Sequence, residues 1–95
     1  MTTNLVRKHA DDVRRVAAAH GAMSVRLFGS VARGTASTGS HVDVLVRLSP
    51  GRDLLDLIGL KQDLERLLGS PVDVVEESGL SPYLRDAILR EARPL

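Results

Sequence analysis

The segment from His41 to Leu48 constrains this chain more than any other. Apolar and polar side chains alternate along it. Val42, Val44, Val46 and Leu48 fall on one face, and His41, Asp43, Leu45 and Arg47 on the other. Successive side chains of a strand project to opposite faces. The pattern therefore predicts a strand with a core face and a chemical face. The rest of the chain has to cover the first and leave the second accessible.

The remaining periodicities supply that cover. Asn4 to His20 reads as a helix, with Val6, Ala10, Val13 and Ala17 at helical spacing, Leu5 and Val16 beside them, and Gly21 as the stop. Ser24 to Phe28 reads as a short strand, and Gly29 to Ser40 as a Gly/Ser/Thr-rich loop. Ser49-Pro50-Gly51 breaks the alternating strand. Asp53 to Leu68 carries the strongest helical pattern. Leu54, Leu57, Ile58, Leu64, Leu67 and Leu68 form its apolar stripe, and Gly69 ends it. Pro71 to Val75 alternates again, with Asp73 opposite Val72 and Val74. Ser81-Pro82 opens a last helix, serine as cap and proline in the first turn, with Leu80, Leu84, Ala87, Ile88 and Glu91 on one side. The order predicts an α/β (α+β) fold: a small mixed β-sheet with helices on one face and His41, Asp43 and Asp73 open on the other. A chain of 95 residues is expected to form one domain, 1–95.

Composition excludes several functions. Thirteen basic and twelve acidic residues leave a net charge of +1, which argues against a basic nucleic-acid clamp. Phe28 and Tyr83 are the only aromatics, too few to stack bases, so no direct nucleic-acid partner is expected. Without large core anchors, such a domain gains from a partner that covers apolar surface. The absence of cysteine excludes disulfides, thiolate zinc sites and a cysteine nucleophile. No apolar run reaches the ~20 residues of a membrane span. The first residues lack an apolar signal core, so the expected compartment is the cytoplasm.

Two features carry chemistry. Phe28-Gly29-Ser30-Val31-Ala32-Arg33-Gly34 runs from a strand into a glycine-serine turn. Gly29 lets a phosphate approach the backbone, Ser30 can cap the turn, and the N–H groups that follow can bind an anion. A plain tight turn has the same residues. Arg33 can reach a phosphate or stand as an exposed loop arginine. Secondly, His41 and Asp43 share a strand face and Asp73 can join them, a polar triple suited to a metal. Each residue alone reads equally as a surface group. Arg47 reads best as a salt-bridge member, Tyr83 as half-buried packing, and Glu76 and Glu77 as solvated.

Together these residues resemble the DNA polymerase β-like nucleotidyltransferase superfamily, whose signature is Gly-Ser, ten residues, Asp-x-Asp and a later Asp. Gly29-Ser30, the ten residues Val31 to Ser40, His41-Val42-Asp43 and Asp73 match it without a gap. The chain is most similar to the minimal nucleotidyltransferases that serve as antitoxins beside HEPN toxins. The resemblance implies ATP as substrate and two Mg²⁺ ions held by the carboxylates. It also implies terminal phosphates on the Gly29-Ser30 turn and transfer of AMP to a tyrosine of the toxin, which silences it. His41 departs from the pattern, standing where the family has its first Asp. Mg²⁺ prefers oxygen donors, so the substitution implies weak or absent activity with Mg²⁺, while Mn²⁺ or Zn²⁺ tolerates imidazole better. The competing expectation is an inactive binding module that neutralises the toxin by contact.

Overall fold

The computed structural model describes residues 6–29 and 41–95. A helical turn at 6–8 leads through His9 into α1 (Ala10–Ala19). Strands β1 (Ala22–Phe28) and β2 (Val42–Leu48) follow, then α2 (Leu54–Leu68), β3 (Val72–Glu76), a 3₁₀ turn (Glu77–Gly79), α3 (Pro82–Glu91) and the short strand β4 (Arg93–Pro94). The four strands form one mixed sheet in the order β3-β2-β1-β4. β1 is antiparallel to β2 and β4, and β2 is parallel to β3.

The expected order of helices and strands is found, with three additions. β1 begins two residues earlier than the alternation indicates. Its pairing with β2 extends to Ala22 opposite Leu48 through a bulge, and Ser49 N–H donates to Gly21 O at 2.8 Å. β4 and the 3₁₀ turn were not expected. Two residues that include a proline show no alternation, and the turn is held by Glu76, whose carboxylate accepts from the Ser78 N–H at 2.8 Å and from its hydroxyl. The helix expected from Asn4 breaks at His9, and residues 1–5 lie outside the described residues.

α2 starts and stops as its sequence indicates. Asp53 accepts from the Leu55 N–H while Asp56 accepts from the Asp53 N–H, a reciprocal cap. Gly69 closes the helix in the left-handed region at φ 65°. The buried stripe differs from the expected one. Leu60, Leu64 and Leu68 are buried, Leu57 and Leu67 partly so, whereas Leu54 and Ile58 are exposed at 68% and 43%. Only the C-terminal half of the helix lies squarely on the sheet. There it joins Val6, Val13 and Ala17 and the strand residues Leu27, Val42, Val44, Val46 and Val72 in one core. The α1–α2 contact is fixed at its polar rim by His20 Nε2, 2.7 Å from Asp63 Oδ2. The imidazole lies where Gly59 carries no side chain, since a Cβ there would come 2.8 Å from His20 Cε1.

The second sheet face is not uniformly open. Leu45 belongs to it and is 1% exposed. Arg26 and Val75 flank Leu45 in register, and Arg26 pairs with Glu77 at 3.0 Å. The ion pair spans β2 and so roofs Leu45. Glu76 and Glu77, expected to be solvated, are both half-buried and engaged. The last helix differs most: α3 has no buried residue, and Leu84 and Tyr83 are exposed at 57% and 94%.

The outer edge of β3 is closed by α2. Glu65 accepts the Val72 N–H at 3.0 Å, Lys61 donates to Val72 O at 2.6 Å, and Lys61 and Glu65 pair at 3.1 Å. The Val72 N–H, then the Lys61 ammonium and, most weakly, the His41 imidazole hold the Glu65 carboxyl below the ordinary glutamate range, against a smaller desolvation. A depressed folded-state pKa stabilises above the unfolded value and loses that contribution as pH falls.

Two outcomes follow. Leu60→Ala is expected to cost about 2–5 kcal/mol, and Leu54→Ala less than about 0.5 kcal/mol, read from urea midpoints. Glu65→Gln should flatten the acid limb of stability. Its difference from the wild type is full at neutral pH and shrinks as pH falls below about 4.3, the unfolded glutamate value, as followed by urea titrations at stepped pH.

Candidate active site

Parallel pairing of β2 with β3 places Asp43 in register with Asp73. Both side chains project from the face opposite Val42, Val44 and Val72. Phe28 of β1 is in register with Asp43 on its other side. His41, one residue before β2, joins them: its Nδ1 lies 3.1 Å from Asp73 Oδ2. The imidazole and this carboxylate are 60% and 52% exposed. Such a pair adds little to stability but is reachable by a ligand. Asp43 is half-buried.

Gly29 closes the group from the β1 side. Its backbone lies at φ 70°, and a Cβ there would fall on the Asp43 carboxylate, 3.1 Å from its Cγ. Glycine is required both for the left-handed backbone and for the close approach. Gly29 and the carboxylate of β2 thus form one surface. Ser30 and Arg33, the other expected phosphate contacts, lie outside the described residues.

The donors present can be tested against a cation. Asp43 and Asp73 offer hard oxygen ligands from neighbouring register positions. Among the described residues, no three His, Asp or Glu side chains surround a common centre. The group is a pair of carboxylates in register, with an imidazole resting on that of Asp73. Mg²⁺ is commonly held by one or two carboxylates together with water and substrate phosphates, so the pair fits one such ion. A second ion would need the carboxylate that position 41 lacks.

Other expectations resolve differently. Tyr83 is not half-buried packing: at 94% exposure it projects from a helix with no fully buried residue. Arg47 is exposed and lines a cleft of about 590 Å³ with Arg85 and Glu77. That cleft and a neighbour of about 310 Å³ share Leu48, Pro50, Glu76 and Ser78 at the far end of β2, away from His41, Asp43 and Asp73. The Lys61–Glu65 clasp on Val72, beside Asp73, escaped sequence reading. Its spacing of four announces a helical pair, not that the pair grips a strand.

Comparison with known proteins agrees with this geometry. Residues 6–95 match the family profile of the nucleotidyltransferase domain. A Methanocaldococcus jannaschii protein, provisionally named a protein adenylyltransferase, is 44% identical over 73 residues, covering 77% of this chain and 78% of its own. A solved structure, provisionally described as a minimal nucleotidyltransferase, superposes with a TM-score of 0.90 at 50% identity, covering 100% of this chain and 97% of that one. A toxin-antitoxin crystal structure with AMP-PNP shares the fold, with a TM-score of 0.74 at 23% identity over 99% of this chain and 72% of that one.

Gly29→Ala is expected to destabilise by about 1–2 kcal/mol through its left-handed backbone and to push the Asp43 carboxylate aside. Urea unfolding measures the first, and a shift of the Asp43 side-chain carboxyl resonance in the NMR spectrum the second.

Proposed function

This chain belongs to the nucleotidyltransferase domain family, and on that basis we propose that it transfers the adenylyl group of ATP to a hydroxyl side chain of a HEPN-type toxin in the cytoplasm, silencing it. One observation carries the reading: the register of Asp43 with Asp73, with Gly29 pressed against the Asp43 carboxylate. In the reaction, the acceptor oxygen bonds to the α-phosphorus of ATP. The bond from that phosphorus to the bridging oxygen breaks, and pyrophosphate leaves with the electron pair. A carboxylate of the site takes the hydroxyl proton. The Gly29-Ser30 turn holds the terminal phosphates and Arg33 neutralises them. Asp43 and Asp73 would hold Mg²⁺, which would supply charge neutralisation at the phosphates.

His41 weakens this machinery in two ways. It withholds a carboxylate, and it engages an oxygen of Asp73. That contact favours a second reading, in which the protein neutralises its toxin by binding alone and the nucleotide site is residual.

His41→Asp should raise Mg²⁺-dependent transfer by at least about tenfold, the scale on which a ligand's partner alters metal-site activity, and leave complex formation unchanged. The assay incubates wild type and variant with ATP, Mg²⁺ and the toxin and follows the toxin's mass. Asp43→Asn and Asp73→Asn in the variant background should abolish the gain. No adenylyl increment with either protein, despite a stable complex, would overturn the enzymatic reading in favour of contact neutralisation.

A further inference from the structure

Asp73 stands near the start of an edge strand, where a backbone is least constrained. β3 has a hydrogen-bonded neighbour on one side only. Val42 N–H donates to Pro71 O at 2.9 Å, and Val42 is in register with Val72. In a parallel pair, main-chain groups of alternate residues face the same neighbour. Pro71 and Asp73 therefore turn inward to β2, and Val72 turns both its groups outward. Such groups ordinarily face water. Here Glu65 takes the N–H and Lys61 takes the carbonyl, and the two close a ring through their own ion pair. Bonds to charged groups are the stronger kind. Of all outward-facing edge positions, the clasped one is the residue whose peptide continues into Asp73.

We propose that Lys61 and Glu65 form a positioning pair for Asp73. The clasp fixes the Val72–Asp73 peptide from outside while β2 fixes it from inside. With the Val72 side chain fully buried beneath it, the peptide cannot rotate, and the Asp73 carboxylate is kept beside Asp43 and His41. The inference rests on Asp73 being a site carboxylate, as proposed above. A displacement of about 1 Å at a reacting group costs about 100-fold in rate, so the clasp matters to transfer more than to folding.

The test uses Lys61→Met and Glu65→Ala, with Glu65→Gln as the conservative variant, because an amide oxygen can still accept from Val72. Asp63→Asn, which loosens the His20 contact elsewhere on α2, is the stability control. The first readout is independent of catalysis: the NMR shifts of the Asp73 backbone amide and the His41 ring nitrogens in the otherwise wild-type chain. Lys61→Met and Glu65→Ala should move both, Glu65→Gln should largely restore them, and Asp63→Asn should leave them in place. The second readout is transfer in the His41→Asp background. The clasp variants should lower kcat by about 10–100-fold with KM for ATP little changed, and Asp63→Asn should leave kcat alone. Unmoved shifts would overturn the proposal, as would a kcat loss matched by Asp63→Asn at equal loss of urea midpoint. If the His41→Asp protein transfers nothing, or Asp73→Asn in it transfers fully, the functional reading fails, and the shifts alone decide the clasp.

Discussion

Everything in this molecule depends on one parallel strand pair. β2 and β3 run the same way, so the chain leaves β2 at one end of the sheet and must be carried back to the opposite end before β3 begins. No tight turn does this; a crossover helix is required. α2 is that helix, and its reciprocal cap at Asp53 and left-handed stop at Gly69 set its length. The helix then has to lie on the sheet, which it does through Leu60, Leu64 and Leu68. The same parallel register that demands the crossover sets Asp43 beside Asp73. An antiparallel return would change which residues face each other, so core, crossover and carboxylate pair stand or fall together.

The two faces of the sheet divide the work. On one, valines and leucines from α1, α2 and three strands exclude water. On the other, a buried leucine, an ion pair above it and an exposed imidazole–carboxylate pair lie within a few residues of each other. Among the described residues, the charged side chains of Arg26 and Glu77 meet across the buried part. This face therefore has a firm floor at Leu45 and an accessible rim at Asp73. His41 alters the chemistry of the rim without disturbing its frame, because a surface hydrogen bond asks little of the backbone around it.

Much of this was legible from residue order. Strict alternation announced β2, because a half-covered strand has no other pattern. Ser81 announced its helix, because a side-chain oxygen there satisfies an otherwise free N–H. The Gly29-Ser30 spacing to His41 and Asp43 announced a candidate site. What escaped depended on tertiary arrangement. The stripe of α2 was drawn through Leu54 and Ile58 because both fit the helical period, yet only contact with the sheet decides which leucines are covered. The helical period assigns α3 an inner side, of which Ile88 and Glu91 are half-buried while Leu84 and Ala87 stay exposed. Leu45 was placed with the polar residues of its face, and no local rule shows that Arg26 and Glu77, far apart in the chain, meet above it. β4 is too short for any period to reveal.

The edges of the sheet have a consequence of another kind. An exposed strand edge invites another copy's backbone to pair with it, the first step toward fibrous aggregates. On one side the outward groups of Val72 are already occupied by Lys61 and Glu65. On the other the boundary strand is two residues long, opposite Leu27 and Arg26, and one of them is Pro94, which has no N–H to offer. Each border is thus blunted at one place, at Val72 on one side and at Pro94 on the other. Both features work against the sheet serving as a template for a neighbouring copy.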